Sequence, residues 1–331
     1  MTQNVLVTDY AWPSLDIERK ILAQVDAELV VAQTGDEAEI VSLAAAADAI
    51  LTNWKKVPEA ALDVAPNCLV VSRYGVGVDN IPVEHATSLG VLVTNVPDFC
   101  VEEVSDHAMA LLLACARRVA LFDRSTSAGA WDLTLAKGLP RLRGQTLGLI
   151  GFGNIARALA PKALGFGMRV LAYTPTARAK VQPGVELTAD LSRLLSEADY
   201  VSLHAPATPA TRGLIGEREL RAMKKTSYLI NTSRGALVDE IVLVRALNEG
   251  WIAGAALDVL AQEPPPPDHP LLSCEKTIIT PHAAFYSEAS IAELRTKAAT
   301  NVAEVLRGRM PVTVVNPAVT ERSNFRLRSG R

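Results

Sequence analysis

A chain of 331 residues, 49% hydrophobic and 21% charged, has apolar material for two packed cores and exceeds one ordinary domain. Its net charge of −3 excludes the clustered basic surface of a nucleic-acid binder, and neither a membrane span of about 18 uncharged apolar residues nor a secretory leader is expected. Cys68, Cys100, Cys115 and Cys274 stand far apart, so they read as reduced small hydrophobes with no metal site, and the cytoplasm is the expected compartment.

Short apolar runs at 4–7, 29–31, 49–51, 69–71 and 91–94 predict strands, with helical spacing between them at 14–24, 36–46 and 82–89. Runs that are apolar on both faces imply a parallel sheet covered by helices on each side. An Ala/Leu-rich stretch, 101–121, predicts one long helix suited to connecting or dimerising, because Val104, Ala108, Leu111, Leu112 and Cys115 share a face. The alternation then restarts, with strands predicted at 146–150, 169–173, 200–204, 227–231, 252–259 and 277–280. A last helix over 288–307 precedes a short extended piece at 312–315. The arginine-rich end from 321, poor in apolar residues, reads as disordered. The fold class is therefore α/β, with two doubly wound parallel-sheet domains.

The segment Gly148-Leu-Ile-Gly-Phe-Gly-Asn-Ile-Ala156 lies between a predicted strand and a predicted helix. A dinucleotide-binding turn needs that context. Gly151 allows the tight turn, Gly153 lets backbone approach a pyrophosphate, and Asn154 and Ile155 open a helix whose N–H groups face its charge. Ala156 replaces the third glycine, and Pro161 is expected to remove one helix hydrogen bond and kink the axis. Thr174 stands where NAD enzymes usually place a carboxylate for the adenine ribose, with Arg178 and Lys180 close behind. The choice between NAD and NADP stays open.

Three later strand ends carry charge that a plain sheet does not need. Asn231-Thr-Ser-Arg234-Gly ends one strand, Ala256-Leu-Asp258 runs on to Glu263-Pro264, and Thr280-Pro-His282-Ala-Ala284 ends another. Ligands of open parallel sheets bind beyond the carboxyl ends of strands, so these residues converge on one crevice. Hydride exchange at a carbon bearing oxygen requires a proton carrier, for which His282 has the right intrinsic chemistry. Glu263 stabilises the imidazolium, and the planar fork of Arg234 suits a carboxylate. His85, His107 and His269 have no motif around them and receive no role. Trp54 and Trp131 are expected to pack at a cleft between the domains.

The order of these motifs, over roughly 45–316, resembles the D-isomer-specific 2-hydroxyacid dehydrogenases. The resemblance implies a Rossmann-type cofactor domain, 100–287, and a flavodoxin-like substrate domain, 1–99 with 288–318, leaving 319–331 as a tail. It implies a catalytic set of Arg234, Glu263 and His282, with Asp258 near the nicotinamide. His204, Pro206, Thr232, Ser233 and Ala284 join Gly151, Gly153, Asn154, Ile155, Thr174 and His282 around NAD or NADP. The stretch Arg73-Tyr-Gly-Val76-Gly77 resembles the family's substrate loop, and a homodimer is implied. Arg73 and the 280–288 motif are most similar to the branch that holds the C-terminal-binding-protein corepressors, although Phe285 stands where that branch has tryptophan. The expected activity is interconversion of a small 2-keto acid and its D-2-hydroxy acid. An NAD(H)-sensing binding protein, or a dehydrogenase of another oxyanion such as a phosphonate or aldehyde hydrate, are the alternatives.

Overall fold

The computed structural model describes residues 2–175 and 182–327. The chain divides into two compact units, Met1–Phe99 with Ser287–Arg331, and Cys100–Tyr286.

The first unit opens with β1 (Gln3–Val7), α1 (Asp16–Leu22), β2 (Ala27–Val31), α2 (Glu37–Ala44), β3 (Ala49–Thr52), α3 (Glu59–Asp63), β4 (Val70–Arg73), α4 (Val83–Ser88) and β5 (Leu92–Thr94). The strands form one parallel sheet in the order β2-β1-β3-β4-β5. Val5, Leu6, Ile50, Leu51, Val70 and Val71 are all fully buried. Neighbouring residues on a strand point to opposite faces, so both faces of this sheet are covered, and the strands read as apolar runs without alternation.

The second unit holds α5 (Val101–Arg117), α6 (Val119–Ser127), β6 (Thr146–Ile150), α7 (Asn154–Gly165), β7 (Arg169–Tyr173), β8 (Val185–Thr188), α8 (Leu191–Glu197), β9 (Tyr200–Leu203), α9 (Glu217–Ala222), β10 (Tyr228–Asn231), α10 (Glu240–Glu249), β11 (Gly254–Leu257) and β12 (Thr277–Ile279). Its seven parallel strands run β12-β11-β10-β9-β6-β7-β8. The chain winds one way from β6 to β8 and the other way from β9 to β12. The switch point falls between β6 and β9, where such sheets open a crevice at their carboxyl edge. The chain then returns to the first unit as α11 (Glu288–Leu306), capped at its start by the Ser287 hydroxyl. There Arg295 pairs with the fully buried Glu18 of α1 at 2.8 Å, and Ala298 accepts from the Ser72 hydroxyl of β4 at 3.2 Å.

Three details differ from the sequence reading: a helix break, an edge strand and the tail. The expected helix over 101–121 breaks at Arg118, whose φ of +53° ends α5 in a left-handed cap before α6 begins. The edge strand β8 was not foreseen: it is short and mostly half-buried, with an incomplete apolar pattern. The piece at 312–315 belongs to no named strand, and its Val315 gives one N–H to the Val93 carbonyl. The expected disordered tail is ordered through 327, because the Arg326 guanidinium donates to the Leu89, Ala65 and Cys68 carbonyls and Leu327 is buried. Composition missed this because it counted the arginines as solvated charge.

Pro161 lies inside α7 without ending it. It cannot donate to the Arg157 carbonyl one turn earlier. Gln182 Nε2 donates there at 3.1 Å in its place. Gln182→Ala should therefore cost about 1 kcal/mol in the native background and much less in Pro161→Ala, where residue 161 can donate. Equal losses in the two backgrounds on chemical denaturation would contradict this pairing.

Candidate active site

The site is built from the carboxyl ends of β6, β9, β10, β11 and β12. At the β6 end, Gly151 has a φ of +94°, and a Cβ there would lie 2.5 Å from the His204 carbonyl oxygen. Glycine is needed because the turn passes directly over the end of β9. Gly153 is different: its φ of −83° is ordinary, and a Cβ there would meet nothing within 4 Å among the described residues. The described residues leave that space open, on the side where the first turn of α7 begins without a side-chain cap. Ala156, fully buried, packs the helix onto the sheet. The Thr232 hydroxyl beyond β10 is buried with no hydrogen-bond partner among the described residues. A glycine with open space beside it, an uncapped helix start and a buried hydroxyl awaiting a partner all fit a dinucleotide phosphate and its sugar. Thr174 follows β7 directly, with its N–H on the Thr188 carbonyl at 3.1 Å, whereas Arg178 and Lys180 lie outside the described residues.

The loops at the other strand ends are tied together. Ser233 Oγ donates to the Ala205 carbonyl at 2.6 Å, which links the β10 end to the His204–Pro206 segment after β9. Asn231 closes its own turn by donating to the Arg234 carbonyl at 2.9 Å and accepting from the Ser233 N–H at 3.0 Å. Gly235 lets this turn touch the next one, since a Cβ on it would fall 2.0 Å from the Leu260 carbonyl carbon. The two carboxylates that follow Arg234 closely in sequence, Asp239 and Glu240, have other work. Asp239 caps α10 through the Val242 N–H, and Glu240 accepts from the Ala261 N–H at 2.7 Å.

Asp258, 2% exposed, organises the last loop. Its Oδ1 accepts from the Thr280 hydroxyl at 2.6 Å and the Ala283 N–H at 2.9 Å, and its Oδ2 from the Ala284 N–H at 2.9 Å. Its backbone carbonyl takes the His282 N–H at 2.8 Å. His282 has a φ of +52°, in the left-handed region that side chains rarely adopt. Its Nδ1 meets Glu263 Oε2 at 2.6 Å, while Glu263 Oε1 accepts from the Leu260 N–H at 2.9 Å. Burial pushes the Glu263 carboxyl up. The His282 hydrogen bond and charge, the Leu260 N–H and the Arg234 charge outweigh it and hold the group below the usual carboxylate range. Arg234, Glu263 and His282 are thus one electrostatic cluster, with an anion fixed against the imidazole and a guanidinium nearby.

Comparison with known proteins agrees with this geometry. Residues 109–284 match the family model for the D-isomer-specific 2-hydroxyacid dehydrogenase, NAD binding domain. A glyoxylate reductase of Korarchaeum cryptofilum is 44% identical over 265 residues, which is 78% of this chain and 79% of the relative. This chain belongs to the D-isomer-specific 2-hydroxyacid dehydrogenases. The dehydrogenase also superposes on a Thermus thermophilus structure with a TM-score of 0.86 and 37% identity, covering 95% of this chain and all of that one. An NADPH-dependent glyoxylate/hydroxypyruvate reductase of Sinorhizobium meliloti, solved with NADP and malonate, gives a TM-score of 0.85 at 28% identity with both chains fully covered. The dehydrogenase uses NAD or NADP to move hydride between 2-keto acids and D-2-hydroxy acids.

In the first unit of the dehydrogenase, Arg73 is buried beneath its loop, donating to Asn80 Oδ1 at 3.1 Å and Asn53 Oδ1 at 3.4 Å. Gly75, at φ +152°, turns the chain above it. No hydrogen bond among the described residues engages the Val76 or Gly77 N–H, whereas the Val76 carbonyl accepts from Asn95 at 2.7 Å. Trp54, half exposed, lies 5.5 Å from the Arg73 guanidinium. Trp131 is 94% exposed and so does not pack as the sequence suggested. His107, set aside as motifless, reaches the Thr280 hydroxyl at 2.9 Å; a helix residue joined to a loop 173 positions away leaves no local signal.

Beside the phosphate turn, His204 Nε2 is 2.9 Å from Ser202 Oγ, and burial lowers its pKa to about 4. The unfolded chain binds this proton below the ordinary value of 6.5 and the folded one only near 4, so stability falls as pH drops across that window. His204→Asn should flatten that part of the stability-against-pH curve. An identical acid slope in the variant would mean that His204 is not the group responsible.

Proposed function

We propose that this dehydrogenase reduces small, unhindered 2-keto acids of the glyoxylate and hydroxypyruvate class. The activities printed for its relatives support that class. The observation that carries the mechanism is the 2.6 Å contact between His282 Nδ1 and Glu263 Oε2. In the reducing direction the imidazolium gives its Nε2 proton to the carbonyl oxygen, and in the oxidising direction the neutral ring takes the hydroxyl proton back. Glu263 holds the ring in one orientation and stabilises its charged form. Arg234 holds the substrate carboxylate and polarises the adjoining carbonyl, which a planar fork does better than an ammonium. In the first unit, Val76 and Gly77 are the proposed substrate-binding residues, with Arg73 stiffening the loop beneath them. When bound, the nicotinamide supplies or accepts the hydride.

Residues proposed to hold the dinucleotide are Gly151, Gly153, Asn154 and Ile155 at its pyrophosphate, with Thr174 toward the adenosine end. His204, Pro206, Thr232, Ser233, Asp258, His282 and Ala284 would line the nicotinamide side. We also infer a homodimer, to which Trp131 and Leu133 offer apolar surface at 94% and 81% exposure; sedimentation as a monomer at micromolar concentration would contradict it. None of the four cysteines, all among the described residues, is in a disulfide, which is compatible with the reducing cytoplasm we propose as the compartment.

A panel of 2-keto acids, 2-hydroxy acids and phosphonates, run with NADH and NADPH in parallel or with their oxidised forms, should give the highest kcat/KM for a two- or three-carbon keto acid. His282→Ala and Arg234→Lys should each lower kcat/KM on that substrate by about a hundredfold or more, with dinucleotide affinity kept within a few-fold. Near-native activity in both variants would overturn the assignment.

A further inference from the structure

Asp258 has a neighbour beyond its own loop. His107, near the middle of α5, places Nε2 2.9 Å from Thr280 Oγ1 and 3.6 Å from Asp258 Oδ1. A hydroxyl has one proton, and Thr280 donates that proton to the Asp258 carboxylate at 2.6 Å. Towards His107 the same oxygen can only accept, so His107 Nε2 carries a hydrogen. The direction of every bond in the chain from His107 to Thr280 to Asp258 is thereby fixed.

We propose that His107 is a positioning residue for His282, acting through the Thr280 hydroxyl and the Asp258 carboxylate. Without its donation the Thr280 hydroxyl can rotate away from Asp258. Asp258 then loses its shortest hydrogen bond, at the carboxylate that holds the Ala283 and Ala284 N–H groups. Those two residues follow His282 directly, and His282 keeps a left-handed backbone that a loosened loop would relax. The His107 side chain is about one quarter exposed, so the link is a tether between α5 and the reacting loop more than a piece of the hydrophobic core.

The kinetic consequence rests on the reductase reading above, whereas the hydrogen-bond direction rests on geometry alone, and the experiment keeps them apart. His107→Leu keeps bulk but removes the donor; His107→Gln places an amide N–H where Nε2 was. With the best 2-keto acid, the Leu variant should lose about tenfold in kcat, the scale expected when a catalytic group is slightly misplaced. Its KM and dinucleotide Kd should stay within twofold of native, and the Gln variant should recover most of the kcat. Ring-nitrogen NMR of the ¹⁵N-histidine-labelled protein, with His107→Gln assigning the signal, should show the neutral His107 ring protonated at Nε2. Native kcat in the Leu variant, a Gln variant as slow as Leu, or an Nδ1-protonated ring would each overturn the proposal. Should the native protein turn over no 2-keto acid, the reductase reading fails and the ring tautomer alone decides the role of His107.

Discussion

Asp258 carries a charge at a place almost closed to water, and a carboxylate can stay ionised there only if donors surround it. Those donors are the Thr280 hydroxyl and the N–H groups of Ala283 and Ala284, all from the segment that follows β12. The need to satisfy one buried charge therefore dictates the path of a neighbouring loop. His282 sits in the middle of that path with a φ of +52°. A left-handed residue costs about 1–2 kcal/mol, and hydrogen bonds to a charged group contribute about 1.5–3 kcal/mol each, so the clamp outweighs the strain it imposes. The unusual backbone at the proposed proton carrier follows from the carboxylate behind it.

The other strand ends are joined by close approach. Gly151 lets the phosphate turn cross the end of β9, and Gly235 lets the Arg234 turn press against Leu260. Ser233 fastens the β10 turn to Ala205. Glu263 is held by the N–H of Leu260, the residue that Gly235 contacts. A shift in any of these turns reaches the Arg234–Glu263–His282 cluster through at most two contacts, so the parallel sheet supplies rigidity and the glycines supply proximity.

Much of this is legible in the amino-acid sequence. Strands buried on both faces announced themselves as unbroken apolar runs, and the glycine turn was readable because a strand preceded it and a helix followed. Arg234, Glu263 and His282 stood out as charges at the ends of apolar strands. The rest depended on contacts between distant positions. Nothing near Gln182 says that it serves the carbonyl left over by Pro161, and nothing near Arg326 says that three carbonyls await it. His107 repeats the lesson at the site itself, and Arg118 shows the local limit, since helical spacing continues straight through the residue that breaks the helix.

The most direct measurement is the rate of hydride transfer in a single turnover of Asp258→Asn, at saturating dinucleotide and keto acid, beside the native protein. An amide offers one acceptor oxygen where the carboxylate accepts through both. The clamp account predicts that the chemical step slows by about a hundredfold while the protein stays folded. A native rate in that variant would show that His282 reaches its place without Asp258, and the account would be wrong.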